Sequence, residues 1–278
     1  MELVTVRYGG GTRAGRVEGD DIVLLDWPSV REVLAEGGLD QAAAAEHGSV
    51  IARSEADLAP VVPNPDKIVC VGVNYADHIA EMGRQAPEFP TYFGKYRRAL
   101  IGPNDDIVLP DPEVSASIDW ECELAVIIGK GGRGIAEADA LGHVAGYSVI
   151  NEGSLRDYQF KSSQWVMGKT FDRSGAFGPD IVTVDELPPG AAGLKLFCRL
   201  NDKTVQEGDT DDMIFSVARI VSELSIVMTL EPGDVISTGT PPGVGLGRKP
   251  PLWMKPGDVC EVEIEQIGVL RNLVIDEG

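Results

Sequence analysis

The chain has 278 residues, enough to bury a large core without disulfide or metal staples. Its 24 Lys and Arg against 44 Asp and Glu give a formal charge of −20, which argues against binding a nucleic-acid backbone or an anionic membrane surface. Cys70, Cys122, Cys198 and Cys260 form no CxxC pair, so they read as reduced thiols rather than a zinc site or a disulfide framework.

No apolar h-region opens the sequence, and the longest apolar runs fall far short of a membrane span; a soluble, cytoplasmic protein is expected. Strands are predicted over 2–8 and 15–26, with Gly19-Asp20-Asp21 as a hairpin turn. Ser29 caps a short helix, and an Ala-rich helix is expected near 40–52. Three prolines within 59–65 mark a boundary between a small N-terminal domain, 1–62, and a larger catalytic domain, 63–278. The larger part reads as a strand at 67–73, a short helix near 75–82, and strands near 92–94, 106–109 and 118–128. A short helix near 136–141, a strand at 144–151 and a helical stretch at 154–163 follow. Strands are then expected near 180–184, 194–200, 203–207, 233–238, 258–264 and 267–274, with an amphipathic helix over 212–229. Many short strands and few helices predict a β-rich α+β fold rather than a doubly wound parallel sheet.

Two nucleotide-like motifs fail on spacing. Gly129-Lys130-Gly131-Gly132-Arg133-Gly134 matches GxGxxG, but too few residues precede the next strand for a βαβ crossover. Gly168-Lys169-Thr170 resembles the end of a P-loop, but Ser163 stands where its opening glycine belongs.

A stronger pattern is Asp119-Trp120-Glu121-Cys122-Glu123-Leu124. Glu121 and Glu123, two apart on a strand, project from one face. Glu261, Glu263 and Glu265 do the same on a cleanly alternating, solvated strand. The strand after Glu123 is instead apolar on both faces, so its carboxylates are buried and need a compensating cation. All-oxygen ligands favour Mg²⁺ or Mn²⁺, with Ca²⁺ as a third candidate, and Glu152 is placed to complete the set. His78 and Glu81, i and i+3 on a helix, form a candidate general-base pair. The stretch from Thr238 to Gly245 would present hydroxyls and backbone N–H groups at a strand end.

Together these segments resemble the fumarylacetoacetate hydrolase family. Val71-Gly72-Val73-Asn74-Tyr75 with His78 and Glu81, the Glu121 segment, Asn151-Glu152-Gly153-Ser154-Leu155-Arg156-Asp157-Tyr158-Gln159, Gly168-Lys169-Thr170-Phe171-Asp172, and Thr238 to Gly245 hold its order from about residue 66 to 272. The resemblance implies a distorted sandwich or roll of mixed sheets, assembled as a homodimer. It implies Glu121, Glu123 and Glu152 as metal ligands, Glu152 standing where the family usually has aspartate. His78 and Glu81 become a base dyad on a mobile lid, Lys169 a third catalytic group, and Tyr75, Arg156, Gln159, Thr238 and Thr240 substrate contacts. The substrate it implies is a small 2-oxo or 1,3-dioxo acid. Hydrolysis of an acylpyruvate or fumarylpyruvate C–C bond is the expected reaction because both dyad members are present. Isomerisation of 2-hydroxyhepta-2,4-diene-1,7-dioate, decarboxylation of oxaloacetate and dehydration of 2-keto-3-deoxy sugar acids share the same enolate chemistry. A binding or scaffold protein on this fold is the non-enzymatic alternative.

Overall fold

A computed structural model describes residues 1–45, 48–77 and 87–277. Its strands are β1 (Glu2–Tyr8), β2 (Gly11–Glu18), β3 (Asp21–Leu24), β4 (Val50–Ala52), β5 (Ile68–Gly72), β6 (Thr91–Gly94), β7 (Leu100–Ile101), β8 (Ile107–Leu109) and β9 (Ile118–Asp119). They continue with β10 (Cys122–Ile128), β11 (Val144–Asn151), β12 (Ser154–Leu155), β13 (Gly175–Thr183), β14 (Lys195–Leu200), β15 (Lys203–Asp209), β16 (Val235–Ser237), β17 (Val259–Ile264) and β18 (Gly268–Asp276). Among the described residues these form a large mixed sheet in the order β4-β3-β2-β1-β13-β11-β10-β16-β5-β6, with β7 also pairing β13. A five-stranded sheet, β15-β14-β17-β18-β8, and the pair β12-β9 complete the set. This is the β-rich mixed-sheet α+β fold expected.

β10 lies in the middle of the large sheet, and its alternation explains its apolar sequence. Cys122, Leu124, Val126 and Ile128 enter one hydrophobic core, while Ala125 and Ile127 enter a second core on the other face. A strand buried on both faces must be apolar throughout. β17 behaves oppositely: Val262 and Ile264 are buried, whereas Glu265 just beyond it is exposed.

The predicted elements shift where tertiary contacts override local pattern. The Ala-rich helix ends at Ala44 instead of running to 52, and β4 follows, paired with β3. A Cβ at Gly48 would lie 1.8 Å from the Leu24 carbonyl oxygen, so this close approach needs glycine. The helical stretch at 154–163 is a strand pair followed by one turn, Arg156–Gln159. The amphipathic helix covers Val217–Val227, N-capped by the Ser216 side chain. It starts late because Asn74 clamps the preceding segment: its Oδ1 accepts from Phe215 N at 2.8 Å and its Nδ2 donates to Phe215 O at 3.1 Å. No helix among the described residues is long and apolar enough to cross a membrane.

Candidate active site

The antiparallel register of β10 and β11 pairs Cys122 with Asn151, so Glu121 stands opposite Glu152. Glu152 N donates to Glu121 O at 2.8 Å, and Glu121 N donates to Asn151 Oδ1 at 3.0 Å. Glu123 follows on the same strand as Glu121. One oxygen of each of Glu121, Glu123 and Glu152 lies within 4.8 Å of the others, and all three residues are buried. β16 braces the third carboxylate: Ser237 Oγ and Gly239 N, the latter at 2.9 Å, both donate to Glu123 Oε2.

Cations close over this cluster. Lys169, at the end of the short helix Val166–Lys169, donates to Glu121 Oε2 at 2.6 Å and to Glu152 Oε2. Lys95, just past β6, donates to Glu152 Oε1 at 2.7 Å. Arg156 donates through Nε to Asp119 Oδ2 at 2.8 Å and through Nη1 to Gln159 Oε1 at 2.9 Å. Its Nη2 lies 2.7 Å from Glu121 Oε1 without a well-aligned hydrogen bond. The surroundings drive the carboxyls apart. Burial pushes Glu121 up, but the charges of Lys169 and Arg156 outweigh it and hold the group well below the usual range. Burial and the neighbouring charges of Glu121 and Glu152 push Glu123 up to about 8. Glu152 is also raised by burial, against the pull of Lys169 and Lys95. Burial disfavours the charged form of Lys169, yet Glu121 and Glu152 more than offset it and keep the ammonium protonated.

This donor set fits a hard divalent cation. Three carboxylates face two ammonium groups, Arg156 is matched by Asp119, and the displaced Glu123 marks negative charge that the side chains alone leave uncompensated. A cavity of about 600 Å³, mouth included, opens onto the cluster. Its polar floor contains Glu121, Glu123, Arg156, Gln159, Lys169 and Thr240; its wall contains Val71, Val73, Phe93, Trp165, Val244 and Leu246. Phe93 and Trp165 meet edge to face at 5.5 Å. This combination of apolar wall and few convergent polar groups is the form of a small-molecule site.

Of the residues expected from sequence, Glu121, Glu123, Glu152, Lys169, Arg156, Gln159 and Thr240 come together. His78 and Glu81 lie outside the described residues, as does most of the expected lid. Two expectations are corrected. Thr238 is fully buried and away from the cavity, its hydroxyl donating to Leu124 O at 3.0 Å. Tyr75 is also buried away from the cavity, in a bridge to Met213. Thr240 reaches the cavity, but its hydroxyl donates to Cys122 O at 2.9 Å and accepts from Gln206 Nε2 at 2.8 Å. At the end of that loop, Gly245 N and Leu246 N donate to the Asp119 carboxylate at 2.7 and 3.0 Å. Sequence reasoning passed over Lys95, the supporting role of Asp119, and the Phe93–Trp165 wall. A lysine directly after a strand carries no local mark of burial, and only the buried charge of Glu152 pointed to a missing cation.

A β-rich fold with three converging carboxylates and a lysine beneath an apolar cavity has the form of an enzyme site able to hold a metal ion. The sequence profile of the fumarylacetoacetate (FAA) hydrolase C-terminal domain matches residues 67–275. The chain belongs to the fumarylacetoacetate hydrolase family. It is 46% identical over 228 residues to the human mitochondrial oxaloacetate tautomerase FAHD2A, covering 81% of this chain and 72% of the relative. Among solved structures, the fumarylacetoacetate hydrolase EaFAH of psychrophilic Exiguobacterium antarcticum superposes with a TM-score of 0.87 at 37% identity, over 100% of both chains. The maleylpyruvate hydrolase of Sphingobium sp. SYK-6, in complex with manganese(II) and pyruvate, superposes at 0.80 with 30% identity, again over 100% of both.

Proposed function

We propose that the chain is a divalent-metal-dependent enzyme that acts on a small 2-oxo acid through its enolate, with keto–enol tautomerisation of oxaloacetate as the leading reaction. Lys169 carries this reading. It is a buried ammonium at the cavity floor with two of its three donors spent on Glu121 and Glu152, so the third is left to meet an oxygen that gains charge. Glu121, Glu123 and Glu152 would hold a Mg²⁺ or Mn²⁺ ion, which would supply Lewis-acid stabilisation of developing negative charge. Arg156 Nη2, lacking a well-aligned partner, and the Gln159 side chain next to it would hold the substrate carboxylate. The Phe93–Trp165 wall excludes water from the reacting carbons. Relatives named oxaloacetate tautomerase, 44–46% identical, support tautomerisation over the hydrolysis expected from sequence.

Hydrolysis of an acylpyruvate is the second reading. It is favoured by His78 and Glu81, whose residue types suit activation of a water, and by likeness to the maleylpyruvate hydrolase. Purified protein is assayed with Mn²⁺ or Mg²⁺ for ketonisation of enol-oxaloacetate and for cleavage of acetylpyruvate and fumarylpyruvate. Acceleration that disappears on chelation and in Glu121→Gln supports the proposal. Full activity of thoroughly metal-free protein, or no acceleration of any of the three, refutes it. Light scattering on the same protein tests the homodimer that we propose on family grounds.

A further inference from the structure

We propose that Lys95 is a positioning residue that clamps Glu152 by one carboxylate oxygen, so that Glu152 meets a cation through the other oxygen alone. The inference rests on the metal-site reading above. Lys95 has a fully buried side chain and does not line the cavity, so it cannot touch a substrate there. Its ammonium has three donors, and all three are spent: on Glu152 Oε1 at 2.7 Å, Gly153 O at 3.2 Å and Lys169 O at 2.5 Å. It therefore ties together the glutamate, the backbone beside it, and the backbone of the other lysine. Gly175 leaves room for its stem, since a Cβ there would lie 3.1 Å from Lys95 Cε. The next residue is anchored as well, with Tyr96 N donating to Thr170 Oγ1 at 3.1 Å.

The two lysines divide the work. Lys169 shares its donors between Glu121 Oε2 and Glu152 Oε2, on the side where the carboxylates converge. Lys95 takes only Oε1. A glutamate has one more side-chain torsion than an aspartate, and an unrestrained Glu152 would sample several rotamers. With Oε1 fixed, Oε2 remains on the Glu121 side. A mere counter-charge would behave in the opposite way: removing a positive charge from beside the site would draw a divalent cation in more tightly.

Mn²⁺ binding, followed by electron paramagnetic resonance and titration calorimetry, distinguishes the two. Lys95→Met is expected to weaken Mn²⁺ by about ten- to a hundredfold, as loss of a ligand's supporting partner does, and to broaden the signal of the bound ion. In a Glu152→Gln background the same substitution should change affinity by no more than about twofold, because the group it positions is gone. Binding by Lys95→Met as tight as or tighter than that of the parent overturns the proposal, as does an equal loss in both backgrounds. If Lys95→Met alone does not fold, Glu152→Gln is compared with the double variant, which lacks the buried ion pair. Equal affinity supports a clamp, and tighter binding in the double variant overturns it. A parent protein that binds no Mn²⁺, with Glu123→Gln making no difference, refutes the metal-site reading itself and the proposal with it.

Discussion

Filling the carboxylate cluster with a divalent cation requires Glu123 to be ionised, and in the metal-free protein burial and its two acidic neighbours hold this carboxyl near pH 8. Each cation bound below that pH must expel a proton. At pH 6, about two units lower, the expulsion costs about 2.7 kcal/mol at 1.36 kcal/mol per unit; since about half the sites are already ionised at pH 8, apparent affinity falls about fiftyfold between the two. The three carboxyls titrate as a set, so the proton belongs to the cluster rather than to one oxygen. Calorimetric Mn²⁺ titrations in buffers of different ionisation enthalpy count it directly. Close to one proton should be released per ion at pH 6, falling towards none above pH 9. Affinity that stays flat between pH 6 and pH 8, with no proton released, would refute the reasoning. The same shift acts on folding. Between the ordinary value of 4.5 and about 8, the folded carboxyl keeps a proton that the unfolded chain has lost. The contribution of Glu123 to the metal-free fold therefore falls as pH rises through that window, and bound metal should offset the loss.

Three substitutions probe the surrounding geometry. A Cβ at Gly72 would lie 2.5 Å from the Trp165 ring, so Gly72→Ala should displace the indole and lower kcat/KM with little change in Tm; unchanged kinetics would remove that wall from substrate binding. In Gly153→Ala the new Cβ would sit 1.9 Å from the Ser174 carbonyl oxygen, a backbone atom that cannot swing aside, and urea denaturation should show a loss of about 3 kcal/mol. Asp119 accepts from Arg156 Nε and from the N–H groups of Trp120, Gly245 and Leu246. Asp119→Asn leaves the Arg156 charge poorly matched and should cost about 3–5 kcal/mol, with KM rising as Arg156 shifts; wild-type stability would show that the carboxylate charge does not matter.

Much of the site could be read from local pattern because it sits on strands. Glu121 and Glu123 are two apart, and the apolar run after them predicted burial on both faces, as the two cores flanking β10 show. The Glu152 partnership follows from register alone, since Cys122 faces Asn151. Thr238 was not placed by the sequence because a hydroxyl there carries no direction, whereas Thr240 of the same loop does reach the cavity. Thr238 and Gly239 bond to the backbone and side chains of β10 instead of facing a ligand. Lys95 stayed hidden because a buried lysine is recognised by its acceptors, and these come from residues 152, 153 and 169. Helix ends moved for a similar reason: Gly48 against Leu24 and Asn74 against Phe215 are contacts between segments far apart in sequence.

The N-terminal strands join the large sheet through β13, and that junction bears on how separate molecules of this chain avoid one another. β13 is buried along its whole length; its outer border is covered at one end by β7, at Gly175 and Ala176, and at the other by β1, where Leu3 faces Ile181. A bare strand of this kind offers a row of unsatisfied N–H and C=O groups to any second chain that drifts alongside. The first few residues thus act as a selvage that keeps the sheet from ravelling onto its neighbours in a crowded solution. Because the seal is made by backbone atoms, this role restricts the identity of the side chains at residues 2 and 3 far less than it restricts the path of the chain. A version of the protein trimmed back to residues 67–275 would keep every carboxylate of the site and leave the Ile181–Val182 end of that border uncovered.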